Sequence, residues 1–162
     1  MLPRITTIDP TLRYFQYKIL NNILYLNERL YKIKVVESPL CSLCEKQNES
    51  VIHLFCTCIL TQSLWQQLTL WLQESITLPI LDPEIVIFGL WNSQSTDYIL
   101  INHIILLFKR FLYLKRTEKH NVSISGLKGF VKSIENIERQ IASGRQKLDI
   151  HYKKWNSVLS IL

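Results

Sequence analysis

The 162-residue sequence is poor in the residues that punctuate a chain: it has 4 glycines and 5 prolines. Every proline lies at or before Pro83 and every glycine at or after Gly89. So few turn formers exclude a collagen, a low-complexity tail and a turn-rich β-sandwich. There is no apolar run of signal-peptide length at the N-terminus. The most apolar stretch, Tyr98 to Leu114, contains Asn102 and His103 and is cut by Lys109 and Arg110, so it falls short of the roughly 20 apolar residues of a membrane span. No two aspartates are adjacent, and there is no P-loop, no G-x-G-x-x-G, no H-E-x-x-H and no G-x-S-x-G. Cysteine is absent from all but 18 consecutive residues.

What is present reads as helical. Apolar residues make 48% and charged residues 20% of the chain, enough apolar content for a packed core. Leu12, Phe15, Ile19, Ile23, Leu26, Leu30 and Ile33 recur at gaps of three and four. That spacing predicts one amphipathic helix over residues 11–33, with Thr11 as its N-cap. Leu60, Leu64, Trp65, Leu68, Trp71 and Leu72 mark a second helix. Residues 85–88 read as a short strand or the end of a buried turn. A long helix capped by Thr96 or Asp97 runs to about Lys115. The last helix starts near Gly126 and carries Leu127, Phe130, Ile134, Ile137, Ile141 and Leu148, with a weak point at Ser143 and Gly144. The predicted fold is mainly α: a helical module with a small cysteine-bearing knuckle between its first two helices, followed by two long helices. Residues 1–78 form the first unit and 79–162 a basic helical extension.

Charge is unevenly spread. Residues 1–108 hold 7 basic and 9 acidic side chains, whereas 109–162 hold 12 basic and 4 acidic. A net +8 in the last third suits a polyanion, or a solvated helix face rich in lysine. Lys109, Arg110, Lys115, Arg116, Lys128 and Lys132 are the candidate phosphate contacts, to RNA or DNA without sequence preference. Tyr14, Tyr17, Tyr25 and Tyr31 are expected to flank the core, although an exposed one could stack on an unpaired base. His103, among Ile and Leu, is expected to be buried and hydrogen-bonded.

The cysteines carry the chemistry. Cys41 and Cys44 form a C-x2-C pair, His53 follows after eight residues, and Cys56 and Cys58 come next. Zn²⁺ takes thiolate and imidazole ligands in a tetrahedron, and a tight C-x2-C turn brings two sulfurs to one ion. A redox dithiol would need a βαβ context that is missing, and disulfides would need an oxidising compartment. Four protein ligands would leave no open position, so a zinc ion here is structural. On an unbroken α-helix, residues 53 and 56 lie about 60° apart and 53 and 58 about 140° apart, which favours Cys56. A turn ending near Cys56 would instead let Cys58 fold back. Spacing leaves the two open.

Pro39-Leu40-Cys41-Ser42-Leu43-Cys44, then Glu49-Ser50, His53-Leu54-Phe55, Cys58 and Trp65, resembles the reverse-transcriptase zinc-binding domain near the C-terminus of non-LTR (LINE-type) retrotransposon proteins. Arg13 to Leu20, Asn27, Arg29 and Leu30 are similar to the helix that precedes it there. A looser likeness covers Phe88-Gly89, Ile101 to Lys109 and Lys154-Trp155-Asn156. The resemblance implies Cys41, Cys44, His53 and Cys58 as the ligand set, with Cys56 an extra thiol. It also implies an accessory, non-catalytic role in target-primed reverse transcription beside upstream reverse-transcriptase domains. The chain would then be the C-terminal part of such a protein beginning at its own Met1, intracellular and nuclear, with no membrane partner. The alternatives are a zinc-stapled protein-contact module and a decayed retroelement remnant.

Overall fold

The computed structural model describes residues 6–90, 96–118 and 122–162. Among them there is no strand; an isolated antiparallel bridge joins Leu40 to Asn48. The named helices are α1 (Pro10–Leu20), α2 (Asn27–Lys32), α3 (Ile59–Gln73), α4 (Pro83–Phe88), α5 (Thr96–Lys115), α6 (Ile124–Gly144) and α7 (Leu148–Trp155). A one-turn π-helix, His53–Thr57, precedes α3, and a 3-10 turn, Asn156–Val158, follows α7. No described helix is long and apolar enough to cross a membrane.

The predicted helix over 11–33 is two helices. Asp9, not Thr11, is the N-cap: its carboxylate accepts from Thr11 N at 2.7 Å, and Pro10 takes the first helical position. The helix stops because Asn22 adopts a left-handed φ of 52°, and the amide of Ile23 then returns to the carbonyl of Lys18 at 2.9 Å. That 6→1 bond closes a helix end on a left-handed residue, a position asparagine tolerates. The break shifts the buried positions to Leu24 and Leu26 and leaves Ile33 exposed. The second predicted helix is α3. It buries Leu64, Trp65, Leu68, Trp71 and Leu72, but Leu60 faces solvent.

Residues 83–88 are helical, with Asp82 accepting from Ile85 N, Pro83 in the first turn and Gly89 ending the helix at φ 86°. The long helix α5 is the hub. Leu100, Ile101, Ile104, Ile105, Leu107, Phe108, Phe111 and Leu112 are all buried, as expected of a helix covered on most sides. α1, α6 and α7 pack on it, and Trp65 of α3 meets Phe108 edge-on at 4.2 Å. Ser123 caps α6 through Gly126 N. Leu148 belongs to a separate helix: α6 ends at Gly144, Gln146 is left-handed at φ 55°, and α7 turns back along α6. One cluster of buried apolar side chains runs from Leu12 to Val158.

Candidate metal centre

A hairpin-like turn carries the C-x2-C pair. Cys41 N donates to Gln47 O at 2.8 Å, and Glu49 N to Pro39 O at 2.8 Å. Glu45 N closes the turn on Cys41 O at 2.9 Å, with Glu45 itself left-handed at φ 55°. Cys41 is fully buried and Cys44 half-buried on this turn. The second pair comes from the opposite side. Ser50 Oγ accepts from His53 N at 3.0 Å and starts a turn that widens into the π-helix.

The π-helix decides how His53 and Cys58 relate. Cys58 N donates to His53 O at 2.8 Å, an i→i+5 bond that returns residue 58 over residue 53. The α-helical angle that separates these two positions does not apply, because the turn is wider than an α-turn. Cys58 then leaves the helix with φ −64° and ψ 127° and becomes the N-cap of α3. The backbone amides of Leu60 and Thr61 point at its sulfur. A thiolate at a helix N-terminus is stabilised there.

The ligand atoms of Cys41, Cys44, His53 and Cys58 all lie within 4.8 Å of one another. Cys41 Sγ and Cys58 Sγ are 4.0 Å apart, and Cys44 Sγ is 3.2 Å from His53 Nε2. A tetrahedron with zinc–sulfur bonds near 2.3 Å and zinc–nitrogen bonds near 2.0–2.1 Å has edges of about 3.6–3.8 Å. The donor set and its spacing therefore fit a four-coordinate ion. With Nε2 on the metal side, Nδ1 carries the proton and faces Thr57 Oγ1 at 3.3 Å, which fixes the ring. Without an ion the Cys41 thiol donates to Cys58. That bond raises Cys41 above the ordinary thiol range and lowers Cys58 to about 5, and backbone amides of Leu43, Cys44, Leu60 and Thr61 favour the two thiolates. Cys56 is outside the cluster. It is buried, and burial pushes its thiol up to about 11.

A carboxylate holds this knuckle to the rest of the chain. Glu49 is fully buried. Its Oε2 accepts from Ser42 N at 2.7 Å, inside the C-x2-C turn, and its Oε1 accepts from Asn27 N at 3.1 Å and from Arg116 Nε at 3.1 Å. Asn27 Nδ2 in turn donates to Leu40 O at 2.7 Å and Ser42 Oγ at 3.0 Å. Trp65 Nε1 donates to Phe55 O at 2.7 Å, so the downstream tryptophan braces the π-helix from α3. The sequence signal for Glu49 was its place just before Ser50 and His53; its reach to Arg116 had none.

The candidate phosphate contacts divide. Lys109 is a correction: it is 2% exposed, its Nζ donates to Gln16 Oε1 at 2.8 Å and Val86 O at 2.7 Å, and it cannot reach a nucleic acid. Burial lowers its ammonium to about 7. Its position on the inward face of α5 places it there. Arg116 is likewise committed inward, to Glu49, to Tyr113 O and to Tyr25 O, with a side chain 12% exposed. Arg110 is half-buried over the ring of Phe15. Lys115 pairs with Glu118 at 2.8 Å. Lys128 lies over the ring of Trp71, and Lys132 is exposed and donates to Leu162 O. Arg145, Lys147 and Lys153, also in the basic third, are exposed.

Two further expectations change. Tyr14, Tyr17, Tyr25 and Tyr31 do not flank the core; they are 57%, 52%, 52% and 48% exposed. Tyr14 and Tyr17 lie on the face of α1 opposite Leu12, Phe15 and Ile19, while Tyr25 and Tyr31 follow the break after Leu20. His103 is fully buried, but among the described residues neither ring nitrogen has a hydrogen-bond partner; Glu138 Oε1 lies 3.7 Å from its Nε2. Glu138 gives its other oxygen to Lys154 and to Trp155 Nε1, each at 2.9 Å.

No curated protein and no solved structure matches the chain. Residues 5–65, which hold the whole Cys3His cluster and end on Trp65, match the family model described as zinc-binding in reverse transcriptase.

Proposed function

We propose that the chain is a zinc-binding, nucleic-acid-binding accessory domain of a non-LTR retrotransposon reverse transcriptase, assisting target-primed reverse transcription. The observation that carries this reading is the coincidence of the four gathered donors with the segment similar to the reverse-transcriptase zinc-binding family. Three thiolates and one imidazole suit Zn²⁺, and four protein ligands make its role structural. The ion would fix the knuckle, and through Glu49 the knuckle would fix α2 and the end of α5. In this reading the chain performs no catalytic step of its own; other domains of the same polyprotein would supply them.

Nucleic-acid contact would come from basic side chains that reach solvent. Lys132, Arg145, Lys147 and Lys153 meet that condition in the last third. Each phosphate they neutralise releases counterions, so affinity should fall with salt. The test is filter binding of labelled RNA and DNA by the zinc-loaded chain at several salt concentrations. Replacing those four residues with Gln should weaken binding on every sequence and flatten the salt slope by roughly 3 units if all four touch phosphate. No binding even at low salt would leave a protein-contact module in its place.

A further inference from the structure

We propose that the outer face of α1 and the segment that follows it form a stacking surface for unpaired nucleobases, built from Tyr14, Tyr17 and Tyr25 with Lys18 and Arg29 among them. The proposal rests on the nucleic-acid reading above and names where unpaired bases would bind.

The rings are continuous. Tyr14 and Tyr17 stack with 10° between their planes and 6.1 Å between centroids. Lys18 Nζ is 4.6 Å from the Tyr14 centroid and 5.9 Å from that of Tyr25, so one ammonium links the two rings. The Arg29 guanidinium lies 6.0 Å from the Tyr25 centroid. All three rings are more than half exposed, whereas Phe15 on the same helix is 3% exposed. Three large rings side by side in water mark an interaction surface more than a chance exposure.

The surface is also held in place. Tyr25 O accepts from Arg116 Nη2 at 3.0 Å and from Tyr113 Oη at 3.4 Å. Arg116 is the residue that Glu49 grips from the knuckle. The backbone beneath the Tyr25 ring is therefore tied to α5 while the ring stays exposed between Lys18 and Arg29, and ordering it on binding costs little.

Charge selects the partner. Residues 10–34 hold five basic side chains, Arg13, Lys18, Arg29, Lys32 and Lys34, against one acid, Glu28. Glu28 is already paired with Lys32 at 2.8 Å. An excess of positive charge interleaved with exposed aromatic faces matches a polyanion that offers flat π-faces, which is single-stranded nucleic acid. A duplex hides its base faces within its own stack. The coarse charge count over residues 1–108 concealed this patch, because the acids that offset it lie elsewhere in the sequence.

The experiment uses the full zinc-loaded chain and fluorescence anisotropy with three probes: a 12-nucleotide oligo-dT, the matching oligo-U and a 12-base-pair duplex. The Tyr14→Leu/Tyr25→Leu variant keeps apolar bulk and every charge. It should lose about ten- to a hundred-fold in affinity for the single strands, keep its duplex affinity and keep its salt slope. The Tyr14→Phe/Tyr25→Phe variant should bind as the parent does. The two single strands separate DNA from RNA preference. Equal loss on duplex and single strand, no loss at all, or equal loss in the Leu and Phe variants would overturn the stacking surface. Binding to anionic vesicles in preference to the oligonucleotides would also overturn it. Absence of any nucleic-acid binding by the parent chain would instead overturn the functional reading on which it rests. Zinc content and unfolding midpoint of each variant, expected unchanged for exposed positions, report whether a loss is merely one of folding.

Discussion

Arg116 donates to Glu49 at 3.1 Å across 67 residues of sequence, with the carboxylate fully buried and the guanidinium side chain 12% exposed. Removing one partner of such a pair leaves a desolvated charge. Glu49→Ala should therefore lower the unfolding free energy by about 3 kcal/mol in urea titration. Glu49→Gln/Arg116→Met should recover much of that loss, since a neutral pair avoids the stranded charge. A double variant no better than Glu49→Ala would mean that the amides of Asn27 and Ser42, not the ion pair, need the carboxylate.

Metal content tests the ligand set directly. Elemental analysis of the reduced chain made in zinc-replete medium should return close to one zinc. Cys58→Ser should lose it, since serine is a poor zinc ligand, and Cys56→Ser should keep most of it. The reverse outcome would mean that the i→i+5 turn at His53 opens when metal binds.

Lys109 makes stability depend on pH. Its folded value, lowered to about 7 by burial, lies below the ordinary lysine value near 10.4. Between those values the unfolded chain binds more protons than the folded one, so stability rises with pH from about 7 to about 10. The slope from this one group is at most about 1.4 kcal/mol per pH unit. Lys109→Met should remove it. Urea midpoints across that range, read as the difference between parent and variant, isolate Lys109 together with its coupling to the neighbouring Cys56 thiol. Parallel curves would show that Lys109 keeps its proton in the core.

Trp65→Phe isolates one hydrogen bond. The indole donates to Phe55 O within the π-helix and packs on Phe108. Phenylalanine keeps much of the ring packing and strands the carbonyl, which should cost about 1–3 kcal/mol. Zinc affinity should fall with it, because the carbonyl belongs to the turn that carries His53 and Cys58. Unchanged zinc affinity in a destabilised variant would show that the brace acts on α3 alone.

The long helix α5 and the buried face of α3 were readable from spacing, because their apolar side chains recur on a face that the core covers. The four clustered donors were readable from residue type, as few other chemistries need them so close together. Three features were not. The stop after Leu20 depends on a left-handed Asn22, and the apolar spacing continues through it undisturbed. Between Cys56 and Cys58 the spacing alone was silent, since no residue spacing announces an i→i+5 bond, and only the family resemblance pointed to Cys58. The burial of Lys109 depends on acceptors from α1 and α4 that meet only in the folded chain. A lysine on a long helix reads as solvated until its neighbours are known.

The wide turn between His53 and Cys58 has a consequence for the order of assembly. The turn completes a ligand set that already lies within one short stretch, with Cys41 and Cys58 only 17 residues apart, whereas the Gln16–Lys109 bond spans 93. Closing a short loop forfeits less chain entropy than closing a long one, and local contacts form sooner. An ion captured by the knuckle would therefore act as a nucleus. α1, α3 and α5 would then dock against a piece already built, and refolding would run faster with zinc present at the start than with zinc added at the end.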